Sequence, residues 1–294
     1  LVASRLAAAQ SEAAWANEES GGIQYLFFLR DLIKRVDSDW AGVEATLYRL
    51  RDILVDRKSM VVNVTADASL WAGFAPQLGS FISSLPETLG APLEWPVATP
   101  KSEGLTFPGQ VNFVAKGANL YDLGYAHSGA SAVALRHLNT TYLWDKVRVQ
   151  GGAYGGGSGL DPFSGIFAFT SYRDPNLLQT LDAYDGAAAY LKQGVGEQDL
   201  VRSIIGAIGS IDTYRLPDAK GFMSLMWELS GNTDENRQQR REEVLAASAK
   251  DFKRLGELLD GVAKSGKVAV LGSDAAIKAA NEERGGFMDV TKVL

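Results

Sequence analysis

One arginine and one tyrosine stand six positions apart within the stretch 145–165, "DKVRVQGGAYGGGSGLDPFSG". They are Arg148 and Tyr154, and seven glycines lie between positions 151 and 165. Both side-chain types donate hydrogen bonds to a carbonyl oxygen that gains negative charge. Glycines in a strand pattern mark a bulge or the close approach of another backbone. The stretch therefore predicts a bare strand that a peptide or a neighbouring domain approaches, with Arg148 and Tyr154 beside it. Spacing alone leaves a second interpretation open, in which Arg148 pairs with a carboxylate and Tyr154 packs.

The rest of the sequence holds no complete catalytic set. His127 and His137 are ten positions apart, which matches neither the i,i+3 nor the i,i+4 spacing of a helical metal site, and neither lies in H-E-x-x-H or H-x-x-E-H. The chain has no cysteine, which excludes disulfides, thiol catalysis and cysteine-based zinc sites. The motifs G-x-S-x-G, G-x-x-x-x-G-K-[ST] and G-x-G-x-x-G are absent. We therefore expect no metal site within this chain.

Composition narrows the class of protein further. The 294 residues are 46% hydrophobic and 22% charged, with a net charge of −6, which is typical of a globular protein. The negative charge and the lack of a basic patch argue against a nucleic-acid-binding protein. No apolar run approaches the ~20 residues of a membrane span. Because the chain begins at Leu1, we expect a processed product or a fragment.

Hydrophobic periodicity predicts a mixture of helices and strands. Asp39 is predicted to cap a helix that leads to a buried strand at 60–67 and a further helix at 68–84. Later, a helix is predicted at 129–142, followed by two strands that end at 172. The next predicted helix begins at Asp174, and its apolar stripe comprises Leu177, Leu181, Tyr184, Ala188 and Leu191.

One internal similarity bears on domain organisation. A helix, the strand "VVNVTAD" and a helix near Asp67 are echoed by a helix, the strand "VAVLGSD" and a helix near Asp274, 207 positions later. This distance is too long for a solenoid repeat and indicates two related domains, of which the first is represented only by its tail. Chance similarity of two such units is the alternative. Between Pro86 and Pro108 lie five of the nine prolines, which predicts a connector with little regular structure.

Several longer motifs resemble one protein family. They include "TYLWDKVRVQGGAYGGGSG", "GIFAFTSYRDPNLLQTLDAYDG" and "IIGAIGSIDTYRLPDAKG". They are similar to the C-terminal region of the presequence proteases, the organellar branch of the pitrilysin-like (M16) zinc metallopeptidases, with plant and algal members most alike. The resemblance implies an α+β fold of the LuxS/MPP-like metallohydrolase type, an antiparallel-rich sheet packed with helices. It implies the C-terminal part of a third M16-type domain at 1–85, a connector at 86–109 and a complete fourth domain at 110–294.

The resemblance also implies where the chemistry lies. Members of this family have two halves that close around a chamber, and the N-terminal half holds zinc in an inverted H-x-x-E-H motif. The C-terminal half contributes an arginine and a tyrosine in the pattern R-x-x-G-G-A-Y, which falls on Arg148 and Tyr154. These two are therefore expected to be catalytic. The residues expected to contact the substrate around them are Gly151, Gly152, Ala153 and Gly155.

The implied activity belongs to the full-length protein. It is an ATP-independent zinc metalloendopeptidase that degrades transit peptides, presequences and other short unstructured peptides in the mitochondrial matrix or chloroplast stroma. Its zinc ligands lie outside this chain, so the isolated chain is expected to be inactive without the N-terminal catalytic half. A non-catalytic homologue serving as a structural subunit of a larger complex is the alternative, and a peptide-binding module is a third hypothesis. The presence of both Arg148 and Tyr154 favours the peptidase, because a scaffold has no need of them.

Overall fold

A computed structural model describes residues 1–87 and 99–294 of the protein. Within these residues the helices, in chain order, are α1 Val2–Ala8, α2 Glu12–Gly21, α3 Ile23–Ser38, α4 Trp40–Leu54, α5 Ala68–Ser84, α6 Ala130–Thr140, a π-helical segment Trp144–Gln150, α7 Leu178–Lys192, α8 Glu197–Ile211, α9 Pro217–Leu229, α10 Asp234–Leu245, α11 Ala249–Ser265 and α12 Asp274–Glu283. The strands are β1 Glu103–Thr106, β2 Asn112–Asn119, β3 Gly155–Leu160, β4 Ile166–Asp174, β5 Lys267–Gly272 and β6 Asp289–Lys292.

The chain divides into two compact units. The first contains residues 1–26, the described residues from 99 to 212, and residues 238–294; the second contains 27–87 and 213–237. The first unit is built around one six-stranded sheet in the order β3-β4-β2-β5-β1-β6. The pairs β3–β4, β4–β2 and β2–β5 are antiparallel, while β5–β1 and β1–β6 are parallel. The predicted α+β fold with an antiparallel-rich sheet is confirmed.

One face of this sheet is buried under helices. Phe167 and Phe169 alternate along β4 and are fully buried, and Phe169 stacks on Tyr184 of α7 with ring centroids 5.0 Å apart. The Tyr184 hydroxyl donates to the Val114 carbonyl at 3.2 Å, and burial raises the pKa of Tyr184. All five residues of the predicted α7 stripe are buried, so that prediction is confirmed. Aromatic stacking and apolar burial together fix α7 on this face.

The opposite face of the sheet carries the short helix α1. Val2 and Leu6 pack on Ala115 of β2 and Ala269 of β5. Arg5, on the same helix, makes a two-pronged ion pair with Glu103, with Nε–Oε2 at 2.7 Å and Nη2–Oε1 at 3.1 Å. Such bidentate geometry fixes the helix as well as neutralising the carboxylate.

Helix capping in the structure matches some predictions and corrects others. The Asp39 side chain accepts a hydrogen bond from the Gly42 N–H at 3.0 Å and begins α4, as predicted. The prediction that a helix begins at Asp174 is wrong, because α7 begins at Leu178 and the Asp174 carboxylate accepts hydrogen bonds from the Asn176 N–H and the Thr180 hydroxyl.

The second unit departs from the predicted secondary structure. Residues 60–67 are exposed and pair with no strand among the described residues, so the predicted buried strand is wrong. The physical reason is that the described part of this unit contains no other strand to satisfy its backbone groups.

The predicted connector at 86–109 contains one regular element among its described residues. Residues 103–106 form β1, which is buried between β5 and β6, whereas residues 88–98 lie outside the described part of the chain. The assignment of 1–85 and 110–294 to successive domains stays a prediction, and the structure places residues 1–26 in the same compact unit as the sheet. Among the described residues, no helix is both long enough and apolar enough to cross a bilayer.

Candidate functional site

Arg148 lies in the π-helical segment that follows α6 and precedes the glycine strand β3. Val147 is buried beside it and anchors the segment, while the Arg148 side chain is exposed. Its guanidinium carbon sits 4.2 Å from the centroid of the Trp144 ring, a cation–π contact that holds the side chain over an aromatic face. Arg148 forms no ion pair with any residue that the structure describes. Its hydrogen-bond donors are therefore available to a ligand oxygen.

A glycine turn carries the chain from Arg148 to Tyr154. Gly152 has a φ of +79°, in the left-handed region that favours glycine, and its N–H donates to the Arg148 carbonyl at 3.0 Å. The Ala153 N–H donates to the Val147 carbonyl at 3.1 Å, and Ala153 is buried. A Cβ at Gly151 would stand 2.6 Å from the Val147 carbonyl oxygen. Both glycines are thus required by the turn itself.

The backbone of Tyr154 is fixed by a β-bulge in the neighbouring strand. Tyr172 and Arg173 of β4 together oppose Phe113, because the register shifts between the flanking pairs of β2 and β4. The Tyr154 N–H lies 3.1 Å from the Tyr172 carbonyl and 3.4 Å from the Arg173 carbonyl. Arg173 has a φ of +50°, the one left-handed non-glycine residue within the described ranges. Bulges of this kind re-aim side chains beside active sites.

The side chain of Tyr154, unlike its backbone, makes few contacts. It is 68% exposed, and its ring makes an edge-on contact with the Tyr172 ring at 6.0 Å. Its hydroxyl has no hydrogen-bond partner among the described residues. A phenol held on a rigid backbone, with its hydroxyl in solvent, is suited to donate to an incoming carbonyl oxygen.

The glycine strand β3 is partly covered, which corrects the prediction of a bare strand. The Asn139 side chain of α6 accepts from the Ser158 N–H at 2.7 Å and donates to the Ser158 carbonyl at 2.9 Å, as a neighbouring strand would. A Cβ at Gly156 would stand 2.6 Å from Val147 Cγ1, so this glycine lets the π-helical segment pack. By contrast, a Cβ at Gly159 would meet nothing within 4 Å, and one at Gly155 would meet only Tyr172 Cβ at 4.0 Å.

Neither histidine adds a metal site. His137 is buried, with Nε2 3.0 Å from the Tyr190 hydroxyl oxygen, and burial lowers its pKa. His127 lies with its Nδ1 3.5 Å from the Tyr125 hydroxyl oxygen, and burial followed by the nearby Arg240 charge lowers its pKa. In residues 1–87 and 99–294, no three His, Asp or Glu side chains are grouped so that they could hold a metal ion. The donor sets present here do not fit zinc.

Sequence reasoning missed Trp144, Tyr172 and Arg173. Trp144 carries a readable signal, since it precedes Arg148 by four positions on a helix and so lies on the same face. Tyr172 and Arg173 carry none, because the bulge that brings them to Tyr154 is a property of strand pairing.

The six-stranded sheet, with most of its helices on one face and α1 on the other, is an α+β domain. The structure superposes on the crystal structure of a peptidase M16 inactive domain from Pseudomonas fluorescens with a TM-score of 0.50 and 20% identity, over 71% of this chain and 51% of that one. This likeness establishes the fold.

The sequence pattern of one family, described as the PreP C-terminal domain, matches residues 102–274, which include Arg148 and Tyr154. The chain belongs to that family, which confirms the resemblance found in the sequence. It is 43% identical, over its whole length, to presequence protease 1, chloroplastic/mitochondrial, of Arabidopsis thaliana, and covers 28% of that protein. It is 30% identical over 256 residues to the mitochondrial presequence protease of Saccharomyces cerevisiae, covering 82% of this chain and 25% of that protein. The chain thus spans little more than a quarter of the length of these relatives.

Proposed function

We propose that this chain is the C-terminal part of a zinc metalloendopeptidase that degrades transit peptides, presequences and other short unstructured peptides. The names of the relatives support mitochondrial matrix or chloroplast stroma as its location. The chain supplies substrate-contacting groups, and its partner is the N-terminal catalytic half, which carries the zinc ligands. The observation that carries the proposal is the pair of exposed donors, Arg148 and Tyr154, whose side chains have no hydrogen-bond or ion-pair partner among the described residues.

The proposed role of these donors follows from charge development. During peptide hydrolysis the carbonyl oxygen of the scissile bond becomes anionic, and zinc bound by the other half supplies Lewis-acid activation of water. Arg148 and Tyr154 donate hydrogen bonds to that oxygen. Donors aimed in advance stabilise the transition state more than the bound substrate, because the oxygen carries its full charge only in the transition state.

The neighbouring residues would shape the approach of the peptide. Gly155 adds no side chain in front of Tyr172, so substrate backbone can come close to Tyr154. Gly151, Gly152 and Ala153 hold the turn between the two donors, and we propose that their backbone borders the substrate. The Trp144 ring restricts the Arg148 guanidinium and lowers the entropy lost when it binds oxygen.

The experiment compares this chain with the longer protein that contains it. Both are purified and assayed on a fluorogenic, unstructured transit-type peptide, with and without a chelator. We expect cleavage by the longer protein, its loss on chelation, and no cleavage by residues 1–294 alone until the N-terminal half is added. Cleavage by the isolated chain that a chelator blocks would contradict the split site, and an inactive longer protein with an intact fold would favour the structural-subunit alternative.

A further inference from the structure

A row of four aromatic rings begins at Tyr154 and leads away from it. The ring centroids lie 6.0 Å apart from Tyr154 to Tyr172, 5.3 Å from Tyr172 to Phe113, and 6.3 Å from Phe113 to Phe107. The four residues stand just before β3, near the end of β4, near the start of β2 and just after β1. Given the strand pairing, these positions lie along one end of the sheet. We call these four residues the aromatic row.

The row is rigid at its base and open at its surface. Phe113 packs against the cluster of α1, β2 and β5 that includes Leu6. The Phe107 ring lies against the backbone at Gly109, where a Cβ would stand 2.2 Å from the ring. Tyr172, in contrast, is 52% exposed, and its hydroxyl has no hydrogen-bond partner among the described residues. A contiguous apolar surface of this kind marks a binding site more often than a lone exposed ring does.

The spacing of the row fits an extended peptide. In an extended chain, side chains on one face recur every two residues, about 6.5–7 Å apart. The Tyr154 and Tyr172 rings are separated by 6.0 Å. For a peptide that runs along the row, the separation of the Tyr154 and Tyr172 rings matches that of two side chains two residues apart on one face, so a side chain two residues from the one beside Tyr154 lies over Tyr172 and Phe113.

We infer that the aromatic row binds an aromatic or branched aliphatic side chain of the peptide substrate, two residues from the cleaved bond. This inference rests on the proposed function. Continuity with Tyr154 identifies the occupant, because the first ring of the row is itself the proposed donor. The ring faces are apolar, so they are expected to bind an apolar side chain better than a neutral polar one such as Gln.

The test uses the complete enzyme and a set of peptides that differ at one position. One unstructured peptide with a single cleavable bond is made with Phe, Leu, Ala or Gln at the second residue on either side of that bond. The wild-type enzyme is expected to cleave the Phe and Leu peptides with at least ~10-fold higher kcat/KM than the Gln peptide, on one side of the bond. Most of this preference is expected in KM.

Three variants assign that preference to the row. Tyr172→Ala is expected to lower the Phe-to-Gln ratio of kcat/KM by ~10-fold, and Tyr172→Phe, which keeps the ring, is expected to keep the ratio. Phe163→Ala is the matched control, since Phe163 is an exposed phenylalanine outside the row, and it should leave the ratio unchanged.

Each other outcome overturns the inference in a distinct way. An unchanged Phe-to-Gln ratio of kcat/KM in Tyr172→Ala would show that the aromatic row does not select the substrate, and it would leave the proposed peptidase function unaffected. An equal fall for all peptides, together with a lower melting temperature, shows that the row packs against the rest of the enzyme instead. If the folded wild-type protein cleaves none of the peptides, both the proposed function and this inference are contradicted.

Discussion

The two faces of strand β4 have different surroundings. Phe167 and Phe169 point toward the helices and are buried, whereas Tyr172 points to the other side and is 52% exposed. The buried rings contact each other at 4.8 Å and continue to Tyr184, while Tyr172 continues to Tyr154. Aromatic residues on one strand thus build a core on one face and a candidate substrate surface on the other. Residue type alone therefore does not distinguish a packed ring from an exposed one; the face of the strand does.

The largest expected effect is on the buried face. Phe169→Ala removes a fully buried ring that stacks on Tyr184, so we expect the free energy of unfolding to fall by about 3–5 kcal/mol. Phe163→Ala, at an exposed ring just before the same strand, should change it by less than about 0.5 kcal/mol. Denaturant unfolding monitored by circular dichroism measures both. Equal losses of unfolding free energy in the two variants would contradict the expectation that the buried ring contributes more to stability than the exposed one.

The next effect concerns Arg148, an exposed side chain. In the complete enzyme, Arg148→Ala is expected to lower kcat by about 10²-fold, because it removes a donor to the developing oxyanion. Arg148→Lys should retain only part of the wild-type kcat, since lysine keeps the charge but loses the planar donors and the stacking on Trp144. Steady-state kinetics measure this, with Arg202→Ala as the control for loss of an exposed arginine. Full activity of Arg148→Ala would show that Arg148 is a surface residue without a role in catalysis.

The smallest effect is expected at the bulge. Arg173 holds a left-handed φ of +50°, so Arg173→Gly should raise the free energy of unfolding by up to about 1 kcal/mol. Arg173→Val should lower the free energy of unfolding, because a β-branched side chain disfavours a left-handed backbone conformation. Thermal unfolding of the two variants side by side gives the comparison. Destabilisation by glycine, or none by valine, would mean that the backbone at 173 is not strained.

The helix packing on the buried face of the sheet was largely predictable from the sequence, whereas the local geometry around Arg148 and Tyr154 was not. The α7 stripe from Leu177 to Leu191 follows helical periodicity, which depends only on local spacing and burial. The same reasoning failed at 60–67, because an apolar run becomes a strand only where another strand pairs with it. Arg148 and Tyr154 are predicted as site residues from their types, spacing and family pattern, and their role stays a prediction.

The geometry around those two residues depends on tertiary structure. The turn at Gly152, the π-helical segment and the bulge at Arg173 are set by backbone pairing and close packing, which no local pattern records. Glycine content signalled that something approaches β3. The structure shows that Val147 and Asn139 approach it on one side, while Gly155 and Gly159 stay open.

The most direct test of the account is the turnover of Tyr154→Phe in the complete enzyme, with zinc content and melting temperature measured on the same preparation. The substitution removes one exposed hydroxyl without a described partner, so folding should be unaffected. Tyr48→Phe, at another exposed tyrosine, is the matched control. The account predicts that kcat falls by about 10²–10³-fold in Tyr154→Phe while zinc content and melting temperature match the wild type. Turnover within about twofold of wild type, far short of that donor effect, would show that Tyr154 is a surface residue and would contradict the account.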